Sequence, residues 1–214
     1  YGVRYAEQRD LPFVVTFHGN DVGLLTSRRR FLRPDYWPYA AGAHRMLRRM
    51  TVGLCASTEL RDLLVDYGVE PSRLIVYRLG IDLTLFRPQE RTRDRLEAVM
   101  IGRFVEKKGF EYGIEGFAKA VREGVNGHLT IIGAGERERR LKDLAASLHA
   151  ADRITFAGVL PAKEVASTLA GADVLLAPSV TTAGGDRESG LIAAKEASAS
   201  GVVPIGSRHG GIPE

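Results

Sequence analysis

Cysteine is almost absent from this 214-residue sequence, which has a single one, Cys55. One cysteine excludes an internal disulfide and a cysteine-based zinc site, and it fits a reducing, cytosolic compartment. Cys55 lies in the apolar run of residues 52–56. We interpret it as a small buried hydrophobic residue and not as a nucleophile.

Long apolar runs are also absent, so no segment of the sequence is expected to span a bilayer. Hydrophobic residues make up 44% and charged residues 26% of the chain, which is typical of a folded globular protein and excludes a disordered one. The sequence starts without methionine and stops at a glycine-rich segment. We therefore expect a fragment that is truncated at both ends.

The net charge of +4 hides an asymmetry between the two halves. Residues 1–95 hold 16 arginines and 11 acidic residues, a net of +5, and the remainder has a net of −1. The excess concentrates between Arg28 and Arg49, a region that could face an anionic membrane, a pyrophosphate-bearing acceptor or only solvent. Nucleic acid is not an expected partner, since few aromatic residues and no binding module accompany the patch.

Apolar runs alternate with amphipathic stretches along the whole chain. The predicted strands are residues 13–17, 52–56, 74–77, 98–101, 129–132, 154–156, 174–177 and 202–206. The predicted helices are residues 36–50, 58–67, 110–123, 137–148, 163–170 and 190–200. Such alternation predicts βαβ units and parallel sheets, hence two doubly wound, Rossmann-like α/β domains. We place them at residues 1–90 and 91–214, with residues 80–95 as linker.

Ligands of doubly wound folds bind at the carboxyl ends of the strands, so the loops there carry the candidate site. His18 follows the first strand, and Arg103 and Lys108 follow the fourth, beside two glycines and a helix start. Two cations at a helix N-terminus favour a pyrophosphate. Gly133 and Gly135 suggest a dinucleotide fingerprint, but Glu138 stands where its third glycine is needed, which excludes NAD.

The loop after residue 177 leads to two carboxylates eight residues apart, Glu188 and Glu196. On one helix this spacing corresponds to about 12 Å of rise and an offset of about 80°, so both side chains could line one side. The backbone N–H groups of Ser189, Gly190 and Leu191 would then begin that helix and meet phosphates.

These residues resemble glycosyltransferase family 4 over nearly the whole chain, from residue 18 to residue 214. The strongest element is E-x7-E, here Glu188-Ser-Gly-Leu-Ile-Ala-Ala-Lys-Glu196. The others are Thr16-Phe-His-Gly19, Leu79-Gly-Ile-Asp82 through Phe86, Gly102-Arg103 with Lys107-Lys108-Gly109, and Gly210-Gly-Ile-Pro-Glu214. Gly-Asn-Asp after His18 and Gly-Asp-Arg-Glu before Ser189 are similar to bacterial exopolysaccharide enzymes of the colanic-acid type.

The resemblance implies a GT-B fold and a retaining hexosyltransferase. Its donor would be a UDP- or GDP-linked sugar, and its acceptor a glycan or polyprenyl-linked oligosaccharide. Glu188 and His18 would act at the reacting sugar. By the same resemblance, the donor would be bound by Arg103, Lys108, Ser189, Gly190, Leu191 and Glu196. We expect a cytoplasmic location, with a peripheral contact of the Arg28–Arg49 region on the inner face of the cytoplasmic membrane.

Four departures from the family pattern and two alternatives accompany this interpretation. Leu-Gly-Ile-Asp replaces the usual Asn-Gly-Val-Asp, Pro-Glu-Gly is missing before Glu188, and the family's N-terminal glycine-rich loop and C-terminal closing segment are absent. Weak donor binding or no turnover is therefore expected of the fragment alone.

The sequence has no Asp-x-Asp, so we predict catalysis without a metal or other cofactor. The alternatives are a GT-B-like sugar-nucleotide epimerase and a degenerate, non-catalytic nucleotide-sugar-binding subunit.

Overall fold

The computed structural model describes residues 2–26, 36–91, 94–183 and 186–214. The chain divides into two compact units. The first comprises Tyr1–Leu79, Thr181–Gly190 and His209–Glu214, and the second comprises Gly80–Val180 and Leu191–Arg208. Two short segments from late in the sequence thus pack with the N-terminal part of the chain.

The first unit contains a three-stranded parallel sheet in the order β1-β2-β3. The strands are β1 (Val14–Phe17), β2 (Val52–Cys55) and β3 (Leu74–Val76), and the helices are α1 (Gly2–Gln8), α2 (Asn20–Thr26), α3 (Tyr36–Arg49) and α4 (Thr58–Asp66). The core of the unit includes the fully buried Phe17, Leu25, Met50, Cys55, Leu60 and Leu64. Burial of Cys55 confirms its interpretation as a small hydrophobic residue, and burial raises the pKa of its thiol to about 11.

The second unit contains a five-stranded parallel sheet in the order β6-β5-β4-β7-β8. Its elements are β4 (Leu96–Ile101), α5 (Phe110–Arg122), β5 (Gly127–Ile132), α6 (Glu138–Ser147), β6 (Ile154–Gly158), α7 (Ala162–Ala170), β7 (Val174–Ala177), α8 (Ile192–Ala199) and β8 (Val203–Gly206). One apolar cluster packs α5 and α6 on the sheet, and a second packs α7 and α8. Both faces of the sheet are therefore covered, which explains the continuous apolar strands.

The strand order reverses between β4 and β7, because β5 lies on one side of β4 and β7 on the other. The loops that leave these two strands turn away from each other at such a point and leave a crevice where ligands bind in doubly wound folds. The loop after β4 carries Arg103 and Lys108, and the loop after β7 leads to Glu188. The topology therefore selects two of the loops that the sequence also singles out.

The predicted α/β alternation is confirmed, with three differences in detail. The helix predicted at residues 190–200 begins at Ile192, and α2 was not predicted, because seven residues are too few to show a periodicity. The segment predicted as a linker is anchored on the second unit. Phe86 is buried in the α7–α8 cluster, and the Arg91 guanidinium donates to the carbonyls of Ala170 and Ser200.

Within the described part of the chain, no helix is both long enough and apolar enough to cross a membrane.

Candidate functional site

The loop after β4 brings two cationic side chains to the carboxyl edge of the five-stranded sheet. Arg103 is exposed and Lys108 is half-buried at the end of a short 3-10 turn, Glu106–Lys108. The aliphatic part of Lys108 lies beside Gly102, where an added Cβ would come within 3.3 Å of the lysine Cε. The aliphatic stem of Lys108 thus packs along the backbone at Gly102.

Gly109 ends this loop and caps the start of α5. Its φ of +60° lies in the left-handed region, and a Cβ there would collide with the carbonyl oxygen of Pro178. The Val180 N–H donates to the Lys107 carbonyl at 2.8 Å. The loops after β4 and β7 are thus packed together through backbone atoms at the switch point.

Two helices begin at this edge without a side-chain cap. The N-cap residues are Gly109 in α5 and Leu191 in α8. Neither offers a side chain that accepts a hydrogen bond from the backbone N–H groups of the first turn. Lys108, Ser179 and Leu191 line one small cavity at the ends of β4 and β7. Helix N-termini carry partial positive charge, so the edge combines cations with backbone donors and favours an anionic ligand.

Glu196 lies on α8, in the second unit. Its side chain is half-buried, and burial raises the pKa of this carboxyl above its usual range. Burial of a carboxylate costs free energy, because the charged group loses part of its hydration. A half-buried carboxyl with a shifted pKa is a candidate site residue.

His18, Glu188, Ser189 and Gly190 belong to the first unit. His18 is exposed directly after β1, and the carboxylate of Asp21 accepts from the N–H groups of His18 and Gly19. The Ser189 hydroxyl donates to the His18 carbonyl. Glu188 is 8% exposed, and its N–H donates to Nε2 of His209 at 3.4 Å. The structure therefore brings His18 and the Glu188–Ser189 segment together.

The arrangement of Glu188 and Glu196 on one helix was wrong. Helix α8 begins at Ile192, and Leu191 at its N-cap has φ −85° and ψ 89°, which is not helical. Glu188 lies in the preceding loop and packs with the first unit, whereas Glu196 packs with the second. The spacing of about 12 Å along a helix axis does not apply to this pair. The Ser189 hydroxyl in this loop donates to the carbonyl of His18, a residue distant in sequence.

The sequence interpretation missed several residues around Glu188. His209 binds its backbone, Arg187 pairs with Glu59 on α4, and Glu214 contacts the first turn of the same helix. The segment Gly210-Gly-Ile-Pro-Glu214 was singled out as a motif but given no role. The two glycines and the acidic residue of this segment were the sequence features from which a role near Glu188 could have been predicted.

No group of three or more histidine, cysteine or acidic residues that could hold a metal occurs among the described residues. Independence from metal stays a prediction.

Comparison with known proteins identifies the family of the chain. The family described as Glycosyl transferases group 1 matches residues 83–214, and Glycosyltransferase Family 4 matches residues 1–85. The chain belongs to the group 1 glycosyl transferases. The predicted resemblance is thereby confirmed.

Two curated relatives cover most of the chain. WcaL of Escherichia coli (strain K12), named as a colanic acid biosynthesis glycosyltransferase, is 34% identical over 100% of this chain and 52% of its own length. The amylovoran biosynthesis glycosyltransferase AmsK of Erwinia amylovora is 32% identical over 94% of this chain and 48% of its own. The chain spans about half the length of these relatives. Both are named as transferases, so the epimerase alternative is not favoured.

The fold is shared with solved structures. HepE of Anabaena, solved in complex with UDP-glucose, superposes with a TM-score of 0.74 at 16% identity, over 98% of this chain and 57% of its own. The predicted fold class, α/β with Rossmann-like domains of the GT-B type, is confirmed.

Proposed function

We propose that the protein carrying this chain is a retaining glycosyltransferase. It moves a hexose from a nucleoside-diphosphate sugar to a glycan or lipid-linked oligosaccharide in the synthesis of a bacterial exopolysaccharide or cell-envelope glycan. The identity of 34% with WcaL and 32% with AmsK, over 100% and 94% of this chain, supports the class of product. We assign the protein to the cytoplasm, where nucleotide sugars are available as donors.

One observation carries the proposal. The uncapped starts of α5 and α8 and the Lys108 side chain meet at the carboxyl edge of the five-stranded sheet, where its strand order reverses. A diphosphate bound there would accept from backbone N–H groups and be neutralised by Lys108 and Arg103. Glu196, on the same α8, is available to the ribose hydroxyls. UDP or GDP sugars both satisfy this chemistry.

The same groups favour the reaction. As the bond from the anomeric carbon to the phosphate oxygen breaks, negative charge develops on the nucleoside diphosphate, and Arg103, Lys108 and the helix starts stabilise it. The sugar becomes oxocarbenium-like, and we assign its electrostatic support to Glu188, with His18 beside the reacting sugar. The acceptor hydroxyl attacks from the face that the leaving group vacates and gives its proton to a phosphate oxygen, so the configuration is retained.

The test replaces Glu188 with glutamine in the full-length protein. The variant keeps the shape of the side chain and loses its charge, so kcat should fall by about 10²-fold or more. Affinity for the nucleoside diphosphate should change little, since Glu188 is assigned to the sugar. Glu115, an exposed residue of α5, supplies the matched control Glu115→Gln, which should turn over normally. Normal turnover of Glu188→Gln would refute the assigned role.

A contact with anionic lipid through residues 28–49 is a second part of the proposal. Arg28, Arg29, Arg30 and Arg33 lie outside the described residues. On α3, Trp37 is 59% exposed and Arg48 is exposed. These two are eleven residues apart, hence about 20° apart around the helix. An exposed tryptophan on the same helix face as an arginine, here about 16 Å further along the axis, is typical of a surface that meets lipid headgroups.

Two other arginines of this region have structural partners. Arg45 pairs with Glu7 of α1, and Arg49 donates to the Leu11 carbonyl at 3.1 Å. The vesicle test should therefore leave both unchanged and replace Arg28, Arg29 and Arg30 with serine. We expect the full-length protein to co-sediment with anionic vesicles at low salt, less so with the substitutions and at high salt. Equal sedimentation with neutral vesicles would refute the lipid contact.

A further inference from the structure

The first turn of α4 is bound by a residue far along the chain. Ser57 is the N-cap, and its hydroxyl accepts from the N–H of Leu60 at 3.2 Å. The Glu214 carboxylate accepts from the N–H groups of Thr58 and Glu59, at 2.8 and 3.2 Å. Backbone donors that a helix leaves unsatisfied at its start are thus taken up by two side chains, one local and one 156 residues away.

Arg78 completes this contact. Its guanidinium donates to Oε2 of Glu214 at 2.8 Å and to the Thr58 hydroxyl at 3.3 Å. Burial alone would raise the pKa of Glu214, but the hydrogen bonds from Thr58, Glu59 and Arg78 outweigh it and lower that pKa below its usual range. Glu214 is therefore ionised at neutral pH, where an anion at a helix N-terminus is favourable.

The same turn of α4 also binds the residue that precedes Glu188. Oε1 of Glu59 accepts from the Arg187 guanidinium at 2.6 Å, and the two side chains are 21% and 37% exposed. A charge-assisted hydrogen bond of this kind restricts the rotation of both long side chains. The ion pair therefore fixes the position of Arg187 relative to helix α4, and with it the position of Glu188, the next residue.

A third contact lies directly on the Glu188 backbone. An added Cβ at Gly210, whose φ is +54°, would collide with the Glu188 carbonyl, and one at Gly211 with the Ser189 carbonyl. The backbone of these glycines thus packs without any intervening side chain on residues 188 and 189. His209 accepts from the Glu188 N–H through Nε2, so its hydrogen lies on Nδ1, which is 3.5 Å from the Thr181 hydroxyl.

We propose that the first turn of α4 is an anchor that positions Glu188, through Glu59 and Arg187 on one side and Glu214 with the glycine pair on the other. This inference rests on the proposed function, because it makes Glu59, Arg187 and Glu214 positioning residues for the group assigned to the reacting sugar. A carboxylate that stabilises a transition state must be held to within about 1 Å, since larger misplacement can cost about 10²-fold in rate.

The kinetic test compares Glu214→Ala with Asp62→Ala in the full-length protein. Asp62 is an exposed residue of α4 whose carboxylate accepts from the guanidinium of its neighbour Arg61. Glu214→Ala should lower kcat by about ten- to a hundredfold, with KM for the donor and nucleoside-diphosphate affinity changed less than about threefold. Glu214→Gln, which keeps one acceptor oxygen, should be intermediate, and Asp62→Ala should match the parent. A proportional loss of kcat and of binding-competent protein would mean that Glu214 only supports folding.

Charge reversal tests the other side of the anchor. Glu59→Arg and Arg187→Glu should each lower kcat, and the double variant, which restores an ion pair of opposite polarity, should recover at least about tenfold over the worse single variant. A double variant no better than that single one would overturn the role of the pair.

Hydrogen exchange decides the anchor without any turnover. In Glu214→Ala, amides of residues 186–190 should exchange at least about tenfold faster, while those of α5 and α6 keep their rates. Unchanged exchange at residues 186–190 would refute the anchor even in an active enzyme. If the unmodified protein transfers no sugar but exchange accelerates as expected, the anchor stands and the proposed function fails.

Discussion

The glycine between Lys108 and α5 gives a sharp test of how the cationic loop is built. Gly109→Ala adds one methyl group at φ +60°, a conformation that costs a non-glycine residue about 1–2 kcal/mol. The new Cβ also overlaps the Pro178 carbonyl, which is backbone and cannot rotate away as a side chain would. We expect a loss of at least about 2 kcal/mol in the free energy of unfolding.

Gly116 supplies a control with the same chemical change in the same helix. It is exposed on α5, and an added Cβ would meet nothing within 4 Å. Alanine is the better helix former, so Gly116→Ala should stabilise the protein by about 0.5–1 kcal/mol. The two substitutions are therefore predicted to have opposite signs.

Thermal unfolding and calorimetry with nucleoside diphosphate measure the two consequences. For a chain of this length 1 kcal/mol corresponds to about 2–4 °C, so Gly109→Ala should lower Tm by roughly 4–8 °C and Gly116→Ala should raise it slightly. Displacement of Lys108 and the α5 start should weaken the nucleoside diphosphate by about tenfold or more in Gly109→Ala alone. Equal Tm values for the two variants would refute the steric reasoning. Unchanged affinity in Gly109→Ala would show that this loop does not bind the diphosphate.

Four shorter predictions concern single groups of the two units. Arg103→Ala and Lys108→Ala should each weaken nucleoside diphosphate by about ten- to a hundredfold and free nucleoside far less, and equal losses in calorimetry would contradict contact with the pyrophosphate. Because the folded-state pKa of Glu196 is raised, its stabilising contribution is complete below the ordinary carboxyl pKa and is lost as pH rises through the folded value. Glu196→Gln should therefore raise Tm at neutral pH and weaken nucleotide binding, and a lower Tm would contradict the burial argument. The buried Cys55 thiol, with its pKa near 11, should react with a thiol reagent only after unfolding, and rapid labelling of native protein would contradict its burial. The full-length enzyme should keep most of its activity after dialysis against EDTA, and loss that only Mg²⁺ or Mn²⁺ restores would overturn the metal-free donor site.

Local pattern was sufficient for most elements of the fold. Strand β7 has the predicted bounds, and α5 differs by one residue at its end, because continuous apolar runs and an amphipathic period are properties of short windows. The N-cap of α4 is equally local, because a cap depends only on the residues that follow it, and the Ser57 hydroxyl accepts from the N–H of Leu60.

In the candidate site, too, some features follow from local sequence and others only from tertiary contacts. The two cations and two glycines after β4, and the acidic pair of the E-x7-E motif, are visible in the sequence, since loops at strand ends can be located from the strands alone. Their roles in binding and catalysis remain predictions. The start of α8 was placed two residues too early, because the backbone of Leu191 at its N-cap is not helical and apolar periodicity alone does not reveal this.

What the sequence by itself determined is the α/β alternation, the loops that carry charge and the family, because all three are encoded in short contiguous segments. What only the tertiary structure decided is which distant segments meet. Thr181–Gly190 and His209–Glu214 pack with the first unit, and Glu214 binds α4 across 156 residues. Such contacts depend on packing and on hydrogen-bond partners that no local window contains, so the surroundings of Glu188 could be read only from the folded chain.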